Sequence, residues 1–321
     1  TSSLQKYEYR MANTSSPIDY ALYNYPIVQF IHIFVVTVSF PPVIIFLTQI
    51  SKIALHDNCK FLFRAWSSAF FTCLIMHCAY IGCDFITGKY IPETNHDPPP
   101  RLLMFAFHGF AHAMSSTQEL MLSIERAVSC AWPEEYHNTG LAMRILIAAE
   151  GMSIVPAMAY LWQISNDNIA LACCITNSID LVSLICLSST TYYVVNKQKF
   201  IVNSSLNEKY QIKEALDITR VMLPCGVISL IMKFSSTVAA WVYALDVIDS
   251  QYMFTITGSA YFIIESLNCM ICSTVVLRRH EGLRRIMQSL LWPRREAKVQ
   301  DVQSAEDVRE IYFDALRKEW H

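Results

Sequence analysis

The stretch PIVQFIHIFVVTVSFPPVIIFLTQI, residues 26–50, decides the class of fold. His32 is its one ionisable side chain, and apolar residues fill most of the other positions. The hydrocarbon core of a bilayer is about 30 Å thick, so a helix needs about 20 mostly apolar residues to cross it. This stretch therefore predicts a membrane-spanning helix.

The rest of the chain has the same character. Of its 321 residues, 53% are hydrophobic and 16% are charged, which is too apolar for an ordinary soluble domain of this size. The spans that we predict are residues 26–50, 61–84, 102–130, 141–164, 169–194, 216–245 and 252–276. The expected fold is an all-α, seven-transmembrane helix bundle.

The distribution of basic residues predicts the orientation of the bundle. One set of loops carries four Lys and Arg residues and the other set, with the tail, carries sixteen, and basic flanks stay on the cytoplasmic side. We therefore expect an extracellular N-terminal segment at 1–25, the transmembrane domain at 26–276 and a cytoplasmic tail at 277–321. The glycosylation acceptor at Asn13 then lies outside, whereas the second acceptor, at Asn203, lies inside and stays unmodified.

The cysteines include one candidate disulfide. Cys83 is placed at the outer end of the second span, and Cys173 and Cys174 at the outer end of the fifth, on the oxidising side of the membrane. We predict a bond from Cys83 to Cys173 or Cys174, and the sequence does not choose between them. The alternative for all cysteines is a role as small apolar packing residues.

The tail begins with an amphipathic pattern, LRRHEGLRRIMQSLLWPRR, at residues 277–295. Its apolar residues share one helix face and its arginines surround that face, which is typical of a helix lying on an anionic membrane surface. We expect such a juxtamembrane helix, with membrane lipids as its partner. A second helical pattern follows Ser304, and for it a solvated helix is the alternative to a partner-binding one.

Ionisable residues inside a membrane are costly and therefore indicate function. A rise of about 1.5 Å per residue places six of them in the outer half of the bundle. They are His32, His77, His108, His112, Asp180 and Lys233. With aromatic residues at the same level, they predict a small-molecule pocket. The candidate ligand-binding residues are His77, His108, His112, Asp180, Lys233, Trp162 and Trp241.

These polar residues also fit structural and metal-binding roles. Asp180 and Lys233 lie at similar depth on neighbouring helices, as a buried structural ion pair would. His108 and His112 share a helix face at a spacing that binds zinc in other proteins, although a third ligand would have to come from another helix. Glu119, deeper in the bundle, is expected to hydrogen-bond to the fourth helix.

Glu125 and Arg126, in MLSIERAVSCAW (121–132), come about 35 Å along the third span, near the cytoplasmic boundary. There a guanidinium can reach water or a partner protein, and the simplest alternative is a boundary anchor. An acidic residue followed by Arg at the inner end of the third of seven helices resembles G-protein-coupled receptors. In those receptors the carboxylate holds the Arg at rest, and its release lets the Arg meet the G protein.

Two stretches resemble the nematode serpentine chemoreceptors of the Sra superfamily, which includes the Sra, Srab, Srb and Sre families. IERAVSCAWPEEY (124–136) is similar to their third-helix Glu-Arg region, and SLNEKYQIKEALDITRVMLP (205–224) is similar to their third cytoplasmic loop. The second stretch departs from the family pattern, with Glu214-Ala215 where those receptors have Glu-Asn. The resemblance covers the seven-helix pattern, and its specific motifs occupy only these two segments.

This resemblance implies a receptor in the plasma membrane, in the cilia of sensory neurons, that senses an external small molecule and activates an inhibitory-type heterotrimeric G protein. The residues expected at the G-protein surface are Glu125, Arg126, Lys209, Tyr210 and Lys213. We expect no enzymatic activity, no cofactor and no nucleic-acid partner, and the oligomeric state stays open. The alternatives are a seven-helix zinc-dependent membrane hydrolase, based on His108 and His112, and a transporter.

Overall fold

The computed structural model describes residues 27–53, 55–87, 99–132, 151, 154–159, 161–162, 169–198, 206–244 and 251–291. These residues are almost wholly helical, and no β-strand occurs among them. The helices are α1 (Ile27–Gln49), α2 (Asp57–Thr87), α3 (Pro99–Ala131), α4 (154–159 and 161–162), α5 (Ile169–Gln198), α6 (Leu206–Ala244), α7 (Gln251–Arg279) and α8 (Glu281–Leu291). A single 3-10 turn, Ile50–Lys52, extends α1.

Five of these helices, α1, α2, α5, α6 and α7, are long and apolar enough to cross a membrane. By length and composition the chain is therefore a helical membrane protein. The 33-residue helix α3 is also long enough, but it is not among the five. Its centre reads SSTQE at 115–119, and these polar side chains lower its hydropathy.

Six of the described helices, α1 to α3 and α5 to α7, form a closed ring, and α7 also contacts α2 across it. Going round the ring, α1 packs on α2, α2 on α3, α3 on α5, α5 on α6, α6 on α7, and α7 returns to α1. In addition, α3 contacts α6. A helix with neighbours on several sides can carry polar residues, because the neighbours supply hydrogen-bond partners that lipid cannot.

Paired side chains show the direction of each helix. Between α5 and α6, Asn177 bonds to Thr237 and Asp180 to Lys233, so these helices are antiparallel. Equivalent pairs make α2 antiparallel to α1 and α7 antiparallel to α6, and make α3 parallel to α5. In these pairs, helices that follow one another directly in the chain run in opposite directions, as serial passage through a membrane requires. We call the end that holds His32, His77 and His108 the histidine end, and the end that holds Arg126 and Glu214 the arginine end.

An aromatic cluster fills the space between α1 and α2 toward the arginine end. Phe46 meets Phe63 and Trp66 edge-on, and the rings of Trp66 and Phe70 lie 4.8 Å apart. Phe46, Trp66 and Phe70 are essentially inaccessible to solvent. Edge-to-face aromatic contacts of this kind add to the free energy gained by burying the rings.

Helix α8 follows α7 after a short break at His280 and packs against α7 and α1. Leu283 is buried, and Arg284 and Arg285 are exposed, which fits the predicted amphipathic helix. A Cβ atom at Gly282 would lie 3.1 Å from Cγ2 of Ile53, so glycine permits the close approach of α8 to the end of α1. The second tail pattern, after Ser304, lies outside the described residues.

The predicted spans agree well with α1, α2, α3, α5 and α7, whose ends differ from the predicted ones by at most four residues. Helix α6 differs, because it begins at Leu206 and the predicted apolar span begins at residue 216. Its first turns are held by Ile212, Ala215 and Leu216, which form a small core cluster with Cys130 and Val194. Helix α6 therefore extends ten residues before the predicted apolar span. The predicted fourth span, 141–164, is described only at the residues assigned to α4.

Candidate functional site

Helix α3 carries one continuous polar stripe. Its members recur every three or four residues, so they share one face of the helix. They are His108, His112, Ser116, Glu119, Ser123 and Arg126, and all are buried. His112, Ser116, Glu119 and Ser123 each form a hydrogen bond to a side chain of α5, α6 or α7, and Arg126 forms an ion pair with Glu214 of α6. The stripe therefore links the histidine end to the arginine end through the interior.

At the histidine end, imidazole rings from three helices pack together. The ring centroids of His32 and His77 are 5.7 Å apart, and those of His77 and His108 are 4.6 Å apart. Phe262 of α7 contacts all three, at 5.0 to 5.7 Å. Nδ1 of His77 lies 2.7 Å from Oγ of Ser266. Three of the predicted outer-half residues, two of them candidate ligand-binding residues, therefore share one aromatic cluster.

One turn further along α3, His112 bonds to the carboxylate of Glu265. The distance from Nδ1 to Oε2 is 3.0 Å, and a carboxylate can only accept, so Nδ1 carries the hydrogen. The other oxygen of Glu265 lies 2.7 Å from Oγ of Ser236 on α6. This residue thus joins α3, α6 and α7 at one level.

The next level is organised around Lys233 of α6. Its ammonium donates to Oγ of Ser116 at 2.9 Å and to Oδ1 of Asp180 at 3.0 Å, and Oε1 of Glu119 lies 3.6 Å away. The expected pairing of Asp180 with Lys233 is present. Glu119 accepts a hydrogen bond from Ser229 of α6 at 2.8 Å, and its expected bond to the fourth helix stays a prediction, because most of that helix lies outside the described residues.

The group around Lys233 has an unequal charge count. Two carboxylates face one ammonium, and Oδ2 of Asp180 is buried without a hydrogen-bond partner among the described residues. In a medium of low dielectric constant each such charge depends on its opposite partner. The stability of these buried polar contacts therefore depends on Lys233.

The arginine end is built on Arg126, whose side chain is fully buried. Its Nε and Nη2 donate to the two oxygens of Glu125, and its Nη1 lies 3.6 Å from Oε1 of Glu214 on α6. The expectation that this guanidinium reaches water at the boundary is wrong, because α6 covers it. Arg126 instead connects two carboxylates from different helices.

Glu214 has a second partner at the start of α2. The backbone N–H of His56 donates to Oε1 of Glu214 at 2.8 Å. The N-terminus of a helix favours a negative charge, so α2 stabilises this carboxylate. Burial lowers the pKa of His56, although Glu214 acts to raise it. The lowered pKa favours a neutral imidazole. Glu214 thereby ties α6 to both α2 and α3.

The remaining predicted site residues are spread more widely. Trp162 is 67% exposed, whereas Trp241, Lys209 and Lys213 are partly buried. Asn13 and the side chain of Tyr210 lie outside the described part of the chain. Cys173 is buried and Cys174 is exposed, but the side chain of Cys83 is not described, so the disulfide stays a prediction.

Two further observations bear on identity. Among the described residues, no group of three or more His, Cys, Asp and Glu side chains is placed to hold a metal ion. In comparisons with known proteins, no family model matches the chain and no curated protein matches it. The fold and the buried contacts therefore carry the functional argument by themselves.

Several residues of these clusters were not identified from the sequence. Glu214 is the partner of Arg126 across the bundle, and Phe262 and Ser266 complete the histidine cluster. The segment YFIIES (261–266) gave a usable signal, since Tyr261, Phe262, Glu265 and Ser266 are spaced to share one helix face.

Proposed function

We propose that this chain is a seven-span G-protein-coupled chemoreceptor with its N-terminus outside the cell. It binds an external small molecule at the histidine end and activates a heterotrimeric G protein at the arginine end. The resemblance to nematode serpentine chemoreceptors of the Sra superfamily agrees with this function, and so do the five helices suited to crossing a membrane. In the proposed topology α3 and α4 supply the other two crossings.

The observation that carries the proposal is the position of Arg126 between Glu125 and Glu214. A buried Arg held by a carboxylate on another helix is a contact that must break if the two helices separate. Because Glu214 also accepts from the backbone of His56, outward movement of α6 would release α2 and α3 together. The separation would expose a cation and a cleft at the inner face, where a G protein can bind.

Helix α6 also connects the two ends of the bundle. Near the histidine end it contributes Ser236 and Lys233, and at the arginine end it contributes Glu214. A ligand that binds more tightly when α6 has moved shifts the population toward the open form. One continuous helix, Leu206–Ala244, with contacts at both ends is a physical basis for the coupling of ligand to G protein.

Nucleotide exchange on a heterotrimeric G protein, measured in membranes that contain the chain, tests this function. Glu214→Gln and Glu125→Gln each weaken the hold on Arg126, so basal exchange should rise. A contact of about 1 kcal/mol shifts a two-state population about fivefold. Arg126→Lys keeps the charge and loses the planar fork, so coupling should fall at unchanged surface expression.

Asp57→Asn is the matched control, because Asp57 belongs to the same end of the bundle and its side chain is 94% exposed. It should leave basal exchange at the wild-type value. Exchange that is absent with inhibitory, stimulatory and phospholipase-coupled heterotrimers, or that is identical in all four variants, rejects the proposal.

A further inference from the structure

Two adjacent imidazoles at the histidine end each present a nitrogen that the described residues leave without a hydrogen bond. His32 on α1 and His77 on α2 are at most 4% exposed, and Nε2 of each is buried and has no hydrogen-bond partner in the part of the chain that the structure describes. Their rings lie 5.7 Å apart. A buried polar atom without a hydrogen bond costs free energy, so two of them side by side on different helices indicate a ligand.

The bond on the other side of His77 limits what this ligand can be. Nδ1 of His77 contacts Oγ of Ser266, and the same Oγ lies 2.9 Å from the carbonyl oxygen of Phe262. If the Ser266 hydroxyl donates to the carbonyl, His77 donates through Nδ1 and its Nε2 is an acceptor. If the hydroxyl donates to Nδ1, Nε2 carries the hydrogen. A hydroxyl group, which donates and accepts, satisfies Nε2 in both cases.

Among the described residues, the side chains that pack around the two rings are aromatic. The ring of Phe262 stacks on His32 with a 12° angle between the planes, and Tyr80 packs against Phe262 with centroids 5.0 Å apart. Flat rings of this kind favour a planar, apolar ligand body. Glu265, three residues after Phe262 in the chain, is already bonded to His112 and to Ser236.

We propose that His32 and His77 bind the hydroxyl group of a small, uncharged aromatic alcohol or phenol, whose ring packs against Phe262. This inference rests on the proposed function, because it names the ligand class of that receptor. It also places the ligand nearer to α1, α2 and α7 than to Asp180 and Lys233. The latter two then stabilise the bundle rather than contact the ligand.

The test is direct binding to the purified full-length chain in lipid nanodiscs. The probes are phenol, benzyl alcohol and 2-phenylethanol, each paired with its hydrocarbon counterpart benzene, toluene or ethylbenzene. Saturation-transfer NMR measures the saturable part of the binding. We expect at least one alcohol to bind about tenfold or more tightly than its hydrocarbon, the equivalent of one hydrogen bond.

The variants remove one nitrogen at a time. His32→Phe keeps the stacked ring and removes Nε2, and His77→Asn keeps a polar group near Ser266 and removes Nε2. Each should abolish the preference for the alcohol. His280→Phe is the matched control. His280 also has a buried nitrogen that no described residue bonds, but it lies at the arginine end, so this variant should bind the probes as the wild type does.

Three outcomes overturn the inference. These are equal binding of alcohol and hydrocarbon to the wild type, no saturable binding of any alcohol, and stoichiometric Zn²⁺ binding that is lost in His32→Phe. The first two need no variant, so the test holds even if a substitution prevents folding. Alcohol binding without nucleotide exchange would reject the receptor function alone, and exchange driven by a ligand without a hydroxyl would reject the ligand class alone.

Discussion

Replacing Lys233 by methionine should destabilise the bundle more than any other single change at its level. Methionine preserves the length of the side chain but removes the ammonium that bonds Ser116 and Asp180 and faces Glu119. Two buried carboxylates then lose their only cation within this group. Removal of one partner from a buried ion pair costs about 3 to 5 kcal/mol, and here we expect the upper part of that range.

Because two carboxylates share one ammonium, removing one carboxylate should affect stability much less than removing the ammonium. Glu119→Gln leaves Lys233 balanced by Asp180, and the glutamine carbonyl can still accept from Ser229. This change should cost less than about 1 kcal/mol. The combination of Lys233→Met, Glu119→Gln and Asp180→Asn should return to within about 1 kcal/mol of the wild type, because no uncompensated charge remains.

The assay is unfolding in mixed micelles titrated with sodium dodecyl sulfate, followed by circular dichroism. Lys60→Met is the control, since Lys60 pairs with the exposed Asp57 at 3.3 Å and a surface pair contributes about 1 kcal/mol or less. A Lys233→Met variant that is as stable as Glu119→Gln would show that Lys233 does not hold these carboxylates, and the charge argument would be refuted.

Two further predictions concern other parts of the chain. In the absence of ligand, His32→Phe should raise the free energy of unfolding by about 1 kcal/mol in the same assay, because it removes a buried nitrogen that no described residue bonds and keeps the stack on Phe262. A loss of stability would mean that His32 has a structural bond. Expression in cells that glycosylate proteins should give sugar at Asn13 and none at Asn203, and sugar at Asn203 would reverse the proposed topology.

The helices that could be predicted from the sequence are those whose apolar residues run without interruption. Helix α1 was predicted to within a residue at each end, because lipid-facing helices are apolar on every side. The start of α6 required a different signal, since residues 206–215 are charged and lie before the apolar span. Ile212, Ala215 and Leu216 are spaced to share one helix face, and in the structure all three are buried in one cluster.

The contacts of the site could be predicted only in part. Similar depth was enough to pair Asp180 with Lys233, because their helices are consecutive and antiparallel. Depth could not identify Glu214 as the partner of Arg126, since it does not determine which non-consecutive helices touch. The order of packing round the ring depends on side-chain fit over the whole bundle. The placement of Phe262 beside His32 depends on it in the same way.

The polar stripe of α3 has a consequence for how the protein is made. Each charged residue near the centre of an isolated helix adds about 2.5 to 3.5 kcal/mol to its transfer from the translocon into lipid. Glu119 imposes this cost when α3 emerges from the ribosome. The cation that faces it, Lys233, lies 117 residues beyond Ser116 in the chain and has not yet been synthesised at that point. We therefore expect α3 to stay beside the translocon or a membrane chaperone until α6 arrives. During biogenesis, the helices of the second half of the bundle would then assemble around α3 before it is released into lipid.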